Sequence, residues 1–268
     1  MSQLDAPGFS IDPRSPSVLP YSCTFYPTLN GALSARRLLE HRLPPELAVA
    51  VVFLGYSPWL LKRRVEERRY NANDFWMPGP RASVAGLYLS TERIPTDIGP
   101  VIPQRIIFQT RAADQGWATF GGNGTFDNNH TWFEASILQP SCRGGVGDDP
   151  RSVALEDDNV LSNPWENAES ARQALRDKGW DFVETEDGQI TWRVCSNITA
   201  RSDYRNYRVE WQRGVKTEVD DERAVGKGEG FLELLEPGCI VVLWARAEQQ
   251  LWVNHVAAAS IEIEYGLL

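Results

Sequence analysis

Histidine is scarce in this chain. Only His41, His130 and His255 occur among 268 residues, and no two of them stand at i, i+2 or i, i+4. A zinc or iron centre would have to gather ligands from distant segments, so no metal site is expected. The four cysteines (Cys23, Cys142, Cys195 and Cys239) are far apart and form no CxxC pair. A chain of this length does not need disulfide staples. Long hydrophobic runs are missing too. The longest, LAVAVVFLGY from Leu47 to Tyr56, is far short of the ~20 residues that span a bilayer, and no membrane partner is expected.

Reaction motifs are also lacking: there is no GxSxG elbow, HExxH pair, Walker loop or EF-hand loop. GKGEG (Gly226 to Gly230) has the glycines of a phosphate cradle, but it follows the acidic EVDDER and not a buried strand. It reads as a flexible turn, and no cofactor is expected. Positive charge is in deficit, with a net charge of −9 and a pI near 5.0, which argues against nucleic acid as a partner. The basic residues present are concentrated: Arg36 to Arg69 holds eight Lys/Arg against four Asp/Glu. The opening MSQLDAPGFSIDPRSP has neither the basic nor the apolar region of a secretory signal. A reduced, cytoplasmic protein is expected, and the Asn-x-Thr sequons at Asn123, Asn129 and Asn197 read as coincidental.

What is present divides the chain into three. Residues 1–29 are rich in Pro and Ser (Pro7, Pro13, Pro16, Pro20, Pro27) and read as an irregular arm, extended or draped over the body. Residues 30–70 read as helical. A first helix covers about Ala32 to Arg42, and a second follows LPPEL to Gly55. Ser57-Pro58 would cap a third, with Leu61, Val65 and Arg68 on a narrow apolar face and KRRVEERR mostly solvated. From about residue 71 the rest forms the β-domain, in which the hydrophobic period falls to two.

SVAGLYLS, RIIFQT, HTWFEASIL, TWRVCSNI, YRVEWQRG, PGCIVVLWARA and SIEIEYG read as strands. YRVEWQRG alternates Tyr207, Val209 and Trp211 against Arg208, Glu210 and Gln212. PGCIVVLWARA is nearly all apolar, as a central strand covered on both faces would be. The fold class is therefore mainly β: an antiparallel, jelly-roll-like β-sandwich with a small N-terminal helical appendage and one inserted helix. The insertion, at about 140–180, opens as an acidic, Gly-rich loop. It ends in a helix with Asn163 as cap, Pro164 first, Glu166 completing a capping box and Gly179 as stop. It is either a binding rim or decoration.

Two stretches concentrate groups suited to a ligand. FQTRAADQGWATFGGNGTFDNNHTWFEA places Asp114, Gln115, Trp117, His130 and Glu134 within twenty-one positions. LWARAEQQLWVNHVAAASIEIEY carries Trp244, Arg246, Trp252, Asn254 and His255 around a hairpin-like connection. Trp244 is expected in the core, and Arg246 against a carboxylate such as Glu134 or Glu210. Indole faces stack on sugar rings or flat organic molecules, and nearby amides and carboxylates orient them. The candidate ligand-binding set is Asp114, Gln115, Trp117, His130, Trp252, Asn254 and His255. The bland reading stands beside it: Trp117 pins its loop, Asp114 bonds turn backbone, and His255 is a packed histidine.

LPPEL within a short helical set resembles the opening of an F-box. RIIFQTRAADQGW, HTWFEA, YRVEW and LEPGCIVVLWARAEQQLWVNHVAAASIEIEY resemble a group of fungal proteins in which an F-box-like or ankyrin-bearing part precedes a β-domain. The order is also similar to that of sugar-recognising F-box proteins, a helical adaptor followed by a galactose-binding-like jelly roll. After Gly55 the F-box-like pattern breaks, and KRRVEERR replaces the apolar positions that an adaptor's partner would need. Three readings follow. The first is recognition of a glycan, other carbohydrate or flat organic small molecule. The second is a cofactor-free cyclase, isomerase or lyase acting on a hydrophobic fungal metabolite, with His130, Asp114 or His255 as acid or base. The third is a protein-interaction adaptor using residues 36–69.

Overall fold

The apolar run after Gly238 forms the middle of a sheet, and the rest of the chain is arranged around it. A computed structural model describes residues 8–12, 19–23, 25–75, 82–96, 101–141 and 155–267. In chain order the strands are β1 (Phe9–Asp12), β2 (Trp59–Arg64), β3 (Arg68–Asn71), β4 (Ser83–Ser90), β5 (Val101–Ala113), β6 (Thr131–Pro140), β7 (Trp180–Phe182), β8 (Trp192–Ser196), β9 (Arg205–Gln212), β10 (Ile240–Glu248) and β11 (Val253–Leu267). The helices are α1 (Leu29–Glu40), α2 (Pro45–Gly55), α3 (Arg172–Asp177) and the single turn α4 (Phe231–Leu234). One sheet has the order β1-β9-β5-β11-β2, with β3 also on β11. The other has the order β4-β10-β6-β7, with β8 also on β6. The pairings are antiparallel, and from β4 onward the chain crosses between the two sheets, except that β6, β7 and β8 follow one another in the second. The protein is a mainly β, antiparallel sandwich with few helices.

Alternation explains which faces meet. Tyr207, Val209 and Trp211 of β9 point into the layer between the sheets with Ile261, Ile263 and Tyr265 of β11. Phe108, Trp211 and Phe231 pack there ring against ring, with centroids 5.1–6.3 Å apart. On β10, Val241, Leu243, Ala245 and Ala247 join this core, while Ile240, Val242 and Trp244 face away into a second one. Leu161, Leu175, Trp180 and Phe182 of the insertion close that second core. The insertion is thus a cover for the outer face of β10, which is why the strand is apolar on both sides.

The arm covers the outer face of the first sheet. β1 pairs with β9 at its edge, and Leu19 is fully buried. Glu262, also fully buried, accepts hydrogen bonds from the Ser22 amide (3.1 Å), Gln109 Nε2 (2.7 Å) and the Tyr26 hydroxyl. Pro7, Pro13 and Pro16, and the Gly-rich start of the insertion with Cys142, lie outside the described residues.

Two expectations fail, both because pairing overrides local preference. The third helix does not form. Ser57 Oγ donates back to the Phe53 carbonyl (2.8 Å) at the end of α2, and Trp59–Arg64 pairs with Glu264–Ala259 of β11. Residues 59–64 and 68–70 of the expected helical segment 30–70 are therefore sandwich strands. Its basic run is bound to the fold: Arg63 donates to the Leu19 carbonyl (3.0 Å), and Arg64 pairs with Glu66 and lies over the Tyr88 ring. In the insertion, Trp165 exchanges two backbone hydrogen bonds with Ala85 of β4 (2.6 and 2.8 Å), which holds 163–166 out of a helix. α3 starts later, after a 3₁₀ turn at Glu169–Ala171 whose Ser170 amide donates to Asn167 Oδ1 (2.9 Å). Gly179, at φ +84°, ends it as expected. Asn163, Pro164 and Glu166 cap nothing.

Candidate functional site: a cleft at one end of the sandwich

Two loops leave the same end of the sandwich. One, 114–130, joins β5 to β6. The other, 249–252, joins β10 to β11. The register brings them side by side, because Thr131 lies opposite Ala247 and Ala113 opposite His255. Gln115 ties them together: its Nε2 donates to the Trp117 carbonyl (2.9 Å), and its Oε1 accepts from the Val253 amide (3.3 Å). Asn128 Nδ2 folds the first loop by donating to the Phe120 carbonyl (2.9 Å). Asn73 Oδ1 holds the second through the Leu251 amide (3.1 Å).

Between the loops is a half-open cleft of about 610 Å³. Trp117, Phe120, His130, Leu251 and Trp252 give it apolar and aromatic walls, and Thr119, Asn128, Gln249 and Gln250 give it neutral polar groups. No lining side chain is a carboxylate, lysine or arginine. The His130 ring meets the Trp252 indole edge to face, with centroids 4.7 Å apart. Burial pushes the pKa of His130 below the usual histidine value. Phe120 is 85% exposed, Leu251 56% and Trp117 45%, a set of large apolar groups left in water beside one opening.

Backbone strain gathers at the same place. Among the described residues, four that are not glycine have positive φ: Asn128 (50°), Ala200 (58°), Gln249 (68°) and Leu251 (69°). Three of the four line the cleft. For a leucine this conformation costs roughly 1–2 kcal/mol. Leu251→Gly is therefore expected to leave stability unchanged or raise it by about 1 kcal/mol, since the glycine's extra chain entropy offsets part of the relief. Ligand affinity at the cleft should fall in the same variant. Urea titration with a binding isotherm checks both, and a variant that loses stability would contradict the strain.

Of the residues singled out in the sequence, Trp117, His130 and Trp252 come together here. Gln115 is the tether between the loops. Asp114 and Asn254 are not in the cleft. Asn254 is fully buried: it donates to the carbonyls of Trp132 (3.0 Å) and Arg246 (3.1 Å) and accepts from Asn197 Nδ2 (3.0 Å). β11 begins directly after the turn, so alternation sends Asn254 inward and the half-buried His255 to the opposite face, beside Arg69. Burial, reinforced by the Arg69 charge, lowers the pKa of His255. Of the three residues named as acid or base, His130 lines the cleft, and Asp114 and His255 do not. Arg246 pairs with Glu134 (2.8 Å), one of the two partners expected. Trp244 lies in the core. Asn197 is wholly buried with its amide in use, so that sequon is closed to modification in the folded protein.

Asp114 pins the base of the first loop. It is 1% exposed and accepts from the Ala200 amide (2.6 Å) and Thr131 Oγ1 (3.2 Å). Burial raises its pKa from 3.8 to about 6, against the opposing pull of those hydrogen bonds. The folded protein holds this proton more tightly than the unfolded chain does. The stability this confers is complete below about pH 3.8 and is lost as pH rises through about 6, a change on the order of 3 kcal/mol. Asp114→Asn has the shape of the protonated acid. Relative to it, the wild type should lose stability between pH 4 and 7 in urea titrations; parallel curves would contradict this.

Sequence reasoning missed Phe120, Gln249, Gln250 and Leu251. The available signal was AEQQLW, a polar turn carrying a leucine between two apolar runs. Among the described residues, no helix is long and apolar enough to cross a membrane. No family model and no curated protein matches the chain. The resemblance to F-box-like fungal proteins thus rests on the quoted segments alone.

Proposed function

We propose that the end cleft binds an uncharged small molecule, either a carbohydrate or a flat organic compound. The observation that carries this reading is the meeting of exposed Trp117, Phe120 and Leu251 with three strained non-glycine residues at one opening. Strain of this kind persists where the surrounding structure holds it for a purpose. An indole face offers a stacking platform, and amides at Asn128, Gln249 and Gln250 offer paired donors and acceptors. A lining without formal charge disfavours ionic ligands, whose desolvation it does not offset. The half-open shape of the cleft favours recognition over catalysis in an enclosed pocket.

The test is a calorimetric panel of neutral mono- and disaccharides, planar neutral aromatics and charged analogues of each. Binding by neutral members that weakens in Leu251→Gly supports the reading. Binding confined to charged members, or indifferent to the rim, overturns it.

One observation favours the adaptor as a second reading. α2 is apolar all round and leaves Leu47, Val51 and Leu54 exposed in one stripe. Val51→Glu should abolish capture of any protein partner without changing affinity at the cleft.

A further inference from the structure

The inner side of α2 is fixed to the sandwich. Ala48 and Val52 are buried, and the Tyr56 amide donates to the Val52 carbonyl (2.7 Å). The Phe53 ring lies so close to Gly266 of β11 that a Cβ there would come within 2.4 Å of it. Helical periodicity then turns Leu47, Ala50, Val51 and Leu54 outward, at i, i+3, i+4 and i+7. Leu54 is 84% exposed. Phe25, 63% exposed, extends the stripe, because its ring packs against Tyr56 at the end of α2 with centroids 5.8 Å apart. Together these five side chains leave on the order of 500 Å² in water, near the upper range of apolar patches on monomers.

The stripe is self-complementary. Leu47 and Leu54 stand at its ends and the smaller Ala50 and Val51 at its middle, so it reads alike in either direction. Two copies of α2 laid antiparallel across a two-fold axis set Leu47 against the partner's Leu54, with the smaller pair beside the axis, where the helices approach closest. No charge occurs from Leu47 to Gly55, so no like charges meet there. The chain as a whole carries −9, whereas residues 29–56 hold three arginines against two glutamates. Two copies thus repel over most of their surface but not at this hairpin, and an anionic bilayer would repel the rest of the molecule.

We propose that the outer stripe of α2, with Phe25, is the contact between two copies of this chain in a two-fold dimer. Pairing the two patches removes about 1,000 Å² of surface from water, the size at which a specific contact becomes stable. The helix is already held in place by the sandwich, so little conformational freedom is lost on pairing. The proposal rests on the second reading above, in which α2 is a contact face, and names its partner.

The experiment is sedimentation velocity of the full chain over a dilution series reaching about 100 µM. The expected result is a reversible dimer, a species of twice the 30.2 kDa chain mass that gives way to monomer on dilution. Val51→Glu, which sets two carboxylates beside the axis, should weaken the dimer tenfold or more. Mixing Val51→Glu with Val51→Lys should restore a dimer with one copy of each, which a general loss of packing would not do. Should Val51→Glu unfold, Leu54→Gln, at the most exposed position of the stripe, decides through a severalfold loss or none. A chain that stays monomeric throughout overturns the proposal, as does a dimer of unchanged affinity in folded Val51→Glu. A monomer that binds neutral phosphatidylcholine vesicles, or that captures a different protein through α2, overturns it too. The last result leaves α2 standing as an adaptor face, so the two readings fail separately.

Discussion

Trp117→Ala is expected to cost the end cleft most of its affinity, by roughly 30- to 1000-fold, or about 2–4 kcal/mol. The indole is 45% exposed, so the core loses little when it is removed. The loop keeps its internal bonds, since Gln115 reaches the backbone carbonyl of residue 117 and Asn128 that of residue 120. Stability should therefore change by no more than about 0.5 kcal/mol. Isothermal calorimetry with the best ligand of the panel, together with a urea titration, separates the two quantities. A folded variant with unchanged affinity would remove the cleft from consideration, whereas a variant that unfolds would make Trp117 a structural pin.

Arg246→Leu should have the largest effect on stability, about 3–5 kcal/mol. The Arg246 side chain is 8% exposed and holds Glu134 on the neighbouring strand. It also donates to the Val84 carbonyl (3.1 Å) and Ser83 Oγ (3.2 Å), so one residue stitches β4, β10 and β6. Its removal strands Glu134 with the Trp132 indole as its remaining partner. Against a total stability of typically 5–15 kcal/mol, that loss is close to unfolding. Adding Glu134→Gln should recover part of it, because the cost comes from an unpaired charge. A double variant no more stable than the single would show that packing dominates.

The sandwich was legible because its strands carry their burial in their pattern. Period-two alternation on β9 and β11 marks one face for the core, and the solid apolar run of β10 announces cover on both. Trp59–Arg64 was not legible. WLLKRR holds residues at ease in a helix, and only its pairing with β11, some two hundred positions away, makes it a strand. Nor could the sequence say where the last turn ends: one residue of register separates a ligand-facing Asn254 from the buried one found. Trp117, His130 and Trp252 were readable as chemistry. Leu251 and Gln249 were not, because nothing in a leucine or a glutamine signals positive φ. The strain that marks the cleft is a property of the folded loops alone.

The most direct measurement is a ¹H–¹⁵N titration of the folded protein with the tightest neutral ligand from the panel. Shifts at the indole signals of Trp117 and Trp252 and the amides of 117–120, 128–130 and 249–252, with the outer sheet faces and α2 silent, are the expected result. Shifts centred elsewhere, with those two loops unmoved, would contradict the cleft as the site of recognition.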